Sequence, residues 1–354
     1  MNILFLTDLY PIDESDIQTS FALKDFTDNF KKLGHNVQII RPNFLLNSYI
    51  RGKKYYKTGQ YEEVFNANYI TPFLFNVKNK LPKINDYDII ISHMPSGSIF
   101  AENFKGKLIC GVHISDIKVL TQPVYSLYFK KKLLNSFKRA EKLICRSFHI
   151  QEKLLKLYPE FKEKSVVIPS GVDEKLIIRR NVEFTSTVKV LTAANLIKRK
   201  NIDKLIKACD NIENIELTVI GGGREFENLK KIGKKTIFKG KLSKSEVIDE
   251  MRKSDIFVLP SINETFGLVY TEAMASGCIT VGTINDGISG IIKDGENGFL
   301  TKPDKKNIEE TLRKIINLDK KEINKISENC FYTIKNYTSG SCALKYIQTI
   351  INTI

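Results

Sequence analysis

Short apolar runs alternate with helix-patterned segments along this chain, and the alternation occurs twice. In the first half the runs fall at residues 3–6, 37–40, 88–92, 108–112, 143–146 and 166–168. They are too short for buried helices and too continuously apolar for strands with one face in water. They read as strands of a parallel sheet covered on both faces. Residues 21–33 have helical periodicity and stop at Gly34, a helix terminator. Strand and helix in alternation imply a parallel sheet wrapped by helices. Residues 173–187 are polar and unpatterned and read as a linker. The rhythm then restarts, with strands at 188–192, 216–220, 236–238, 256–259 and 278–281, a helix at 202–209 and helical sequence from 308 onward. The expected fold class is therefore α/β, with two Rossmann-like doubly wound domains facing each other across a cleft. The first covers 1–172 and the second 188–336.

With 354 residues the chain can bury a core in each half. No apolar stretch approaches the roughly 20 residues that span a bilayer. Residues 2–6 are too short for a signal peptide and are interrupted by Thr7-Asp8, so the expected location is cytoplasmic. Six cysteines stand apart from one another, without zinc or redox spacing, and read as buried reduced thiols. The net charge of +15 divides almost evenly between the halves, and two segments that mix lysine with aromatic residues, 49–57 and 125–142, are denser in it. That mixture suits the anionic surface of a membrane, and peripheral contact at the inner face of the plasma membrane is expected there. A solvated lysine face beside a core stripe is the other reading. No nucleic-acid module signature occurs, so no nucleic-acid partner is expected.

Residues 263–277 carry the most chemistry. The strand 256–259 leads into a loop containing Glu264, and a helical pattern then runs to Gly277 with Glu272 about two turns along it. Ligands of open α/β sheets bind at the carboxyl ends of strands, where helix N-termini offer free N–H groups to phosphate. An acid in the loop can meet a polar substrate, and an acid on the helix can meet a pair of ribose hydroxyls. Gly221-Gly222-Gly223 follows another strand, as a tight turn or a place of close backbone approach. Asn195-Leu196-Ile197-Lys198-Arg199-Lys200 follows a third and gathers three cations, as a basic surface loop or a partner for a diphosphate leaving group. His113 ends a strand ahead of Ser115-Asp116.

Taken in order, the segments 195–200, Gly221-Gly222-Gly223, Phe238-Lys239-Gly240, 264–272 and 294–300 resemble the retaining GT-B glycosyltransferases of family four. The first half is similar more loosely, through Tyr10-Pro11, Gly34-His35-Asn36-Val37, His113-Ile114-Ser115-Asp116, Arg146-Ser147 and Pro169-Ser170-Gly171-Val172-Asp173. The resemblance implies that Glu264 approaches the transferred sugar and that His113 contacts the donor sugar or the reacting centre across the cleft. It implies that Arg199, Lys200 and the backbone of Phe266, Gly267 and Leu268 face the donor phosphates. Glu272 would bind the ribose and Leu242 would flank the base. Asn195, Gly221, Gly223, Thr19, Ser20 and Arg146 are further cleft candidates. It also implies that the terminal residues 337–354 pack back on the first domain. The chain departs from the family where an arginine is usual and Asn195 stands, and where paired glycines are usual and residues 17–20 stand. It departs again near Gly290, where a glutamate is usual.

The expected reaction is transfer of a sugar, with anomeric configuration retained, from a nucleotide-diphosphate donor to a hydroxyl. A UDP-sugar is the preferred donor, and the acceptor is a lipid-linked glycan of bacterial surface polysaccharide such as capsule or O-antigen. Cations and a helix N-terminus would replace a metal, and no cofactor beyond the nucleotide sugar is expected. The rival readings are a GT-B nucleotide-sugar epimerase and a non-catalytic protein that binds sugar nucleotides or membranes.

Overall fold

The computed structural model describes residues 1–11, 21–43, 55–57, 64–68 and 87–353, which form two compact units. The first unit comprises Met1–Arg146, Ile150–Ser170 and Cys342–Ile354, and the second Ser147–His149 with Gly171–Ser341.

The sheet of the first unit contains β1 (Asn2–Leu6), β2 (Asn36–Asn43), β3 (Tyr55–Lys57), β4 (Val64–Asn68), β5 (Ile89–His93), β6 (Leu108–Val112), β7 (Lys142–Cys145) and β8 (Ser165–Val167). Their order is β3-β4-β2-β1-β5-β6-β7-β8, and every pair is parallel except β3 with β4. Every residue of β5 and β6 is buried. These strands have helices on both sides, which is why their sequence is apolar without alternation. Strands β3 and β4 are absent from the sequence reading because they are short and rich in polar and aromatic residues. Arg146, expected within a strand, lies one residue beyond β7.

The second unit contains β9 (Val188–Ala193), β10 (Ile215–Ile220), β11 (Ile237–Gly240), β12 (Ile256–Val258), β13 (Ile279–Thr283) and β14 (Phe299–Thr301). They form one parallel sheet in the order β11-β10-β9-β12-β13-β14. The chain lays β10 and β11 on one side of β9 and then returns to lay β12 on the other. The strand order therefore reverses between β9 and β12, and the carboxyl edge at such a point is where doubly wound sheets bind ligands.

Residues 173–187 are more than a tether. Val182 is fully buried, and Leu176, Ile177 and Phe184 pack against the core of the second unit. The terminal helix Ser339–Ile351 buries Cys342, Ala343, Tyr346, Ile347 and Ile350. All six cysteines are free and buried.

Candidate active site

Because β9 and β12 are neighbours, the loops that follow them meet. The loop after β9 tightens into a 3-10 turn, Lys198–Lys200, and ends on Asn201 in the left-handed region at φ 52°. The Asn201 side-chain amide donates to the Pro260 carbonyl at 2.9 Å, and the Ile262 N–H donates to the Arg199 carbonyl at 2.9 Å. Those two bonds pin the basic loop against the loop that carries Glu264.

Three donors converge on one oxygen of that acid. Glu264 Oε1 accepts from Arg199 Nη1 at 2.7 Å, from Ser261 Oγ at 2.9 Å and from Lys200 Nζ. Glu264 Oε2 makes no hydrogen bond among the described residues. Burial pushes the Glu264 carboxyl up, but Lys200 and then Arg199 outweigh it, and the net shift is downward. Burial lowers Lys200, against the pull of Glu264. The pair is a desolvated ion pair whose charges are held in fixed positions.

Asp286 fixes the backbone of the same loop. Its carboxylate accepts the N–H groups of Asn263 at 2.6 Å, Glu264 at 2.7 Å and Gly287 at 2.7 Å. Burial raises its pKa, with those N–H bonds opposing. Behind the acid, Tyr270 Oη donates to the Leu259 carbonyl at 2.6 Å and lies 3.3 Å from Ser261 Oγ. Asp286, Ser261 and Tyr270 had no role in the sequence reading. Ser261 lies just before the motif and Tyr270 within it, whereas Asn285-Asp286-Gly287 reads only as a turn whose destination is set by the fold.

The helix Leu268–Ala275 begins at Gly267 in the left-handed region at φ 86°. Phe266 is buried beside it, and Gly267 and Leu268 are half-buried. Glu272 is the fifth residue of this helix, so it lies little more than one turn along, not two. Its carboxylate pairs with Lys244 Nζ at 3.2 Å. Leu242, half-buried, shortly precedes the helix Lys244–Lys253. The glycine turn packs on the basic loop: a Cβ at Gly223 would come within 2.4 Å of the Leu196 carbonyl and 2.6 Å of Asn195 Oδ1. The Leu196 N–H donates to the Gly222 carbonyl at 2.9 Å, and a Cβ at Gly221 would collide with the Ala194 carbonyl. Close backbone approach is thus what these glycines permit, and Asn195 is exposed beside them.

In the first unit, His113 is buried at the start of the helix Ile114–Thr121 and lies 2.9 Å from His93. Arg146 corrects an expectation. It is 1% exposed, donates to the Ile168 carbonyl at 2.8 Å and to Ser170 Oγ, and stacks 4.6 Å over Phe26. Its guanidinium is enclosed by the fold rather than presented to a ligand. Thr19 and Ser20 lie outside the described residues, as does most of segment 49–57. The Asp-x-Asp pair of this sequence, Asp86-Tyr87-Asp88, does not belong to the site: Asp88 immediately precedes β5 and accepts the Asn2 N–H at 2.7 Å. That is the amino edge of the sheet, opposite the edge where loops bind ligands. Among the described residues no cluster of three or more metal-ligating side chains is present.

The helix Pro123–Arg139 carries Lys130, Lys131 and Lys132, and its first turns expose Val124, Tyr125, Leu127 and Tyr128. No described helix is long and apolar enough to cross a membrane.

Comparison with known proteins agrees in both halves. Residues 173–331 match the family model of glycosyl transferases group 1, and residues 22–176 match that of glycosyltransferase family 4. An uncharacterized glycosyltransferase of Methanocaldococcus jannaschii is 28% identical over 271 residues, covering 73% of each chain. A lipopolysaccharide core biosynthesis glycosyltransferase of Rhizobium meliloti is 25% identical over 173 residues, covering 47% of this chain and 51% of that protein. The structure of Anabaena HepE in complex with UDP aligns with a TM-score of 0.74 at 17% identity, covering 99% of this chain and 100% of that one. The shared architecture is the GT-B fold.

Proposed function

Because this chain belongs to the group 1 glycosyltransferases of family 4, we propose that it transfers a sugar from a nucleotide-diphosphate donor to a glycan hydroxyl with retention of configuration. The observation that carries this reading is the meeting of Arg199, Lys200 and Glu264 at the switch point of the second sheet. As the glycosidic bond breaks, negative charge builds on the diphosphate. Two cations already fixed beside the loop stabilise that charge without reorganising, which is how an electrostatic site lowers a barrier. They serve here in the place a metal would otherwise fill.

Glu264 Oε2 is the oxygen offered to the transferred sugar, and its carboxylate stays ionised because Lys200 and Arg199 hold it so. The N-terminus of the helix Leu268–Ala275, with the backbone of Phe266 and Gly267, faces phosphate. Glu272 accepts from the ribose hydroxyls and releases Lys244 in doing so, and Leu242 flanks the base. Asn195, Gly221 and Gly223 line the donor side. Attack comes from the same face as departure: the leaving phosphate oxygen takes the acceptor's proton while the sugar passes through an oxocarbenium-like state. For the first unit, a role in turnover is assigned to His113.

UDP is the preferred nucleotide, supported by the UDP bound in HepE. A lipid-linked surface glycan is the preferred acceptor, supported by the lipopolysaccharide relative and by the apolar and basic face of the helix Pro123–Arg139. Peripheral attachment to an anionic membrane surface at its cytoplasmic face follows from that same helix. The test is a screen of UDP-, GDP- and ADP-sugars for nucleotide release, with and without glycan acceptors. Release from one nucleotide class, accelerated by acceptor, is expected. Epimerised donor without transfer, or no turnover of any donor, would overturn the proposal.

A further inference from the structure

The first unit contains a chain of three buried side chains drawn from three separate elements. His113 Nε2 and His93 Nδ1 lie 2.9 Å apart, and His93 Nε2 lies 3.1 Å from Tyr346 Oη. His93 ends β5, His113 follows β6, and Tyr346 comes from the terminal helix Ser339–Ile351. The packing around them leaves little choice of position. Strand pairing sets His93 opposite Gly111, and a Cβ at Gly111 would fall 2.0 Å from His93 Nδ1. Phe5 stacks on the His93 ring at 5.2 Å and 20°. Phe26 and Phe30 hold the Tyr346 ring edge-on, each at 5.4 Å.

Protons in this chain are countable. Burial keeps both imidazoles neutral, with the nearby Arg146 cation adding to the effect, and lowers His113 to about 3. A neutral imidazole has one N–H and one lone pair. If His113 carries its proton on Nε2, it donates to His93 Nδ1; His93 then carries its own proton on Nε2 and donates to Tyr346 Oη. The opposite assignment reverses both bonds and puts the His113 proton on Nδ1. The helix that His113 caps distinguishes the two. His113 forms a capping box with Asp116, whose carboxylate accepts the His113 backbone N–H at 2.8 Å. The His113 ring makes no side-chain hydrogen bond to that helix, whose Asp116 N–H donates to the His113 carbonyl at 3.1 Å, but the capping box sets the ring beside the first-turn N–H groups, where a lone pair at Nδ1 is favoured over a second N–H.

We propose that Tyr346, acting through His93, is a positioning residue that holds His113 in its Nε2–H tautomer. The terminal helix thereby completes a hydrogen-bond chain whose far end is a residue of the reaction. The consequence for turnover rests on the role assigned above to His113; the tautomer itself does not.

The test uses the full chain with 15N-labelled histidine and long-range proton–nitrogen NMR, beside steady-state kinetics. In the wild type, His113 should be protonated on Nε2. Tyr346→Phe keeps the ring and removes the oxygen that accepts from His93. It should move His113 to a mixture of tautomers or to Nδ1–H. Gly111→Ala displaces His93 from its other side and should do the same. Turnover of Tyr346→Phe should fall roughly tenfold, less than the ~100-fold that a 1 Å misplacement can cost, with donor KM little changed. In a His113→Ala background the same substitution should cost nothing more, because its effect runs through His113. An Nδ1–H tautomer in the wild type, an unmoved tautomer in both variants, or an undiminished Tyr346→Phe loss in the His113→Ala background would each overturn the proposal. If no donor is turned over, the NMR result still decides the tautomer claim while the functional reading fails separately.

Discussion

Lys200→Met is the substitution whose cost the structure sets most tightly. The Lys200 and Glu264 side chains are 10% and 12% exposed, so solvent screens their pairing poorly. Removing one partner of a buried ion pair costs about 3–5 kcal/mol, because the other charge stays buried alone. Glu264 is not left wholly alone here. Arg199 remains, but at 40% exposure its pairing is solvent-screened and adds roughly 1 kcal/mol, and Ser261 still donates to the same oxygen. The expected loss is therefore about 2–4 kcal/mol. At about 2–4 °C per kcal/mol for a unit of this size, the calorimetric midpoint of the second unit should fall by about 4–16 °C. The double variant Lys200→Met with Glu264→Gln removes the stranded charge and should recover more than half of that loss. A single variant melting within about 2 °C of the wild type would refute the reasoning. So would a double variant no more stable than the single, since the cost would then not come from an unpaired carboxylate.

Three other outcomes follow from the same geometry. Glu272→Ala removes a charged acceptor worth about 1.5–3 kcal/mol to the ribose hydroxyls; donor KM should rise at least about tenfold with kcat less affected, and an unchanged KM would contradict the assignment. The Glu264 carboxyl has a folded pKa below its unfolded value, so its pairing contributes fully above the unfolded pKa near ~4.3 and is lost as pH falls through the folded pKa. The stability gap between wild type and Glu264→Gln, measured by urea unfolding, should therefore narrow as pH falls below about 4; a gap constant with pH would speak against an ionised, paired acid. Leu127, 77% exposed, heads the apolar face of the helix Pro123–Arg139. Sedimentation with anionic vesicles at low salt should bring the protein down, Leu127→Asp should weaken binding about tenfold, and an absence of low-salt binding would end the membrane proposal.

Much of the fold can be read in the sequence because parallel strands buried on both faces leave an unbroken apolar run, as 3–6, 108–112 and 256–259 do. The short strands β3 and β4 leave no such trace. The loops of the site were readable as separate pieces, since each follows an apolar run at its carboxyl end. Their meeting was not. That Arg199 and Lys200 touch Glu264 depends on β9 lying beside β12, which is a matter of strand order and not of local pattern. Asp286 supports the Glu264 loop from 22 residues away, and no local signal marks an aspartate that will cap another loop's backbone. Arg146 shows the reverse error: the resemblance implies a place for it in the cleft, but the Ile168 carbonyl, Ser170 and the Phe26 ring enclose it. His93 could be placed near the carboxyl edge from its position after a strand. Its partner Tyr346, 253 positions away, could not.

The central claim is retaining sugar transfer from a nucleotide-sugar donor. Proton NMR of the freshly formed product, from the nucleotide sugar and acceptor that support turnover, tests it most directly. The anomeric coupling of the new linkage should match that of the donor, with Glu264→Ala forming no product on the same time scale. An inverted anomeric coupling, or equal product from Glu264→Ala, would contradict it.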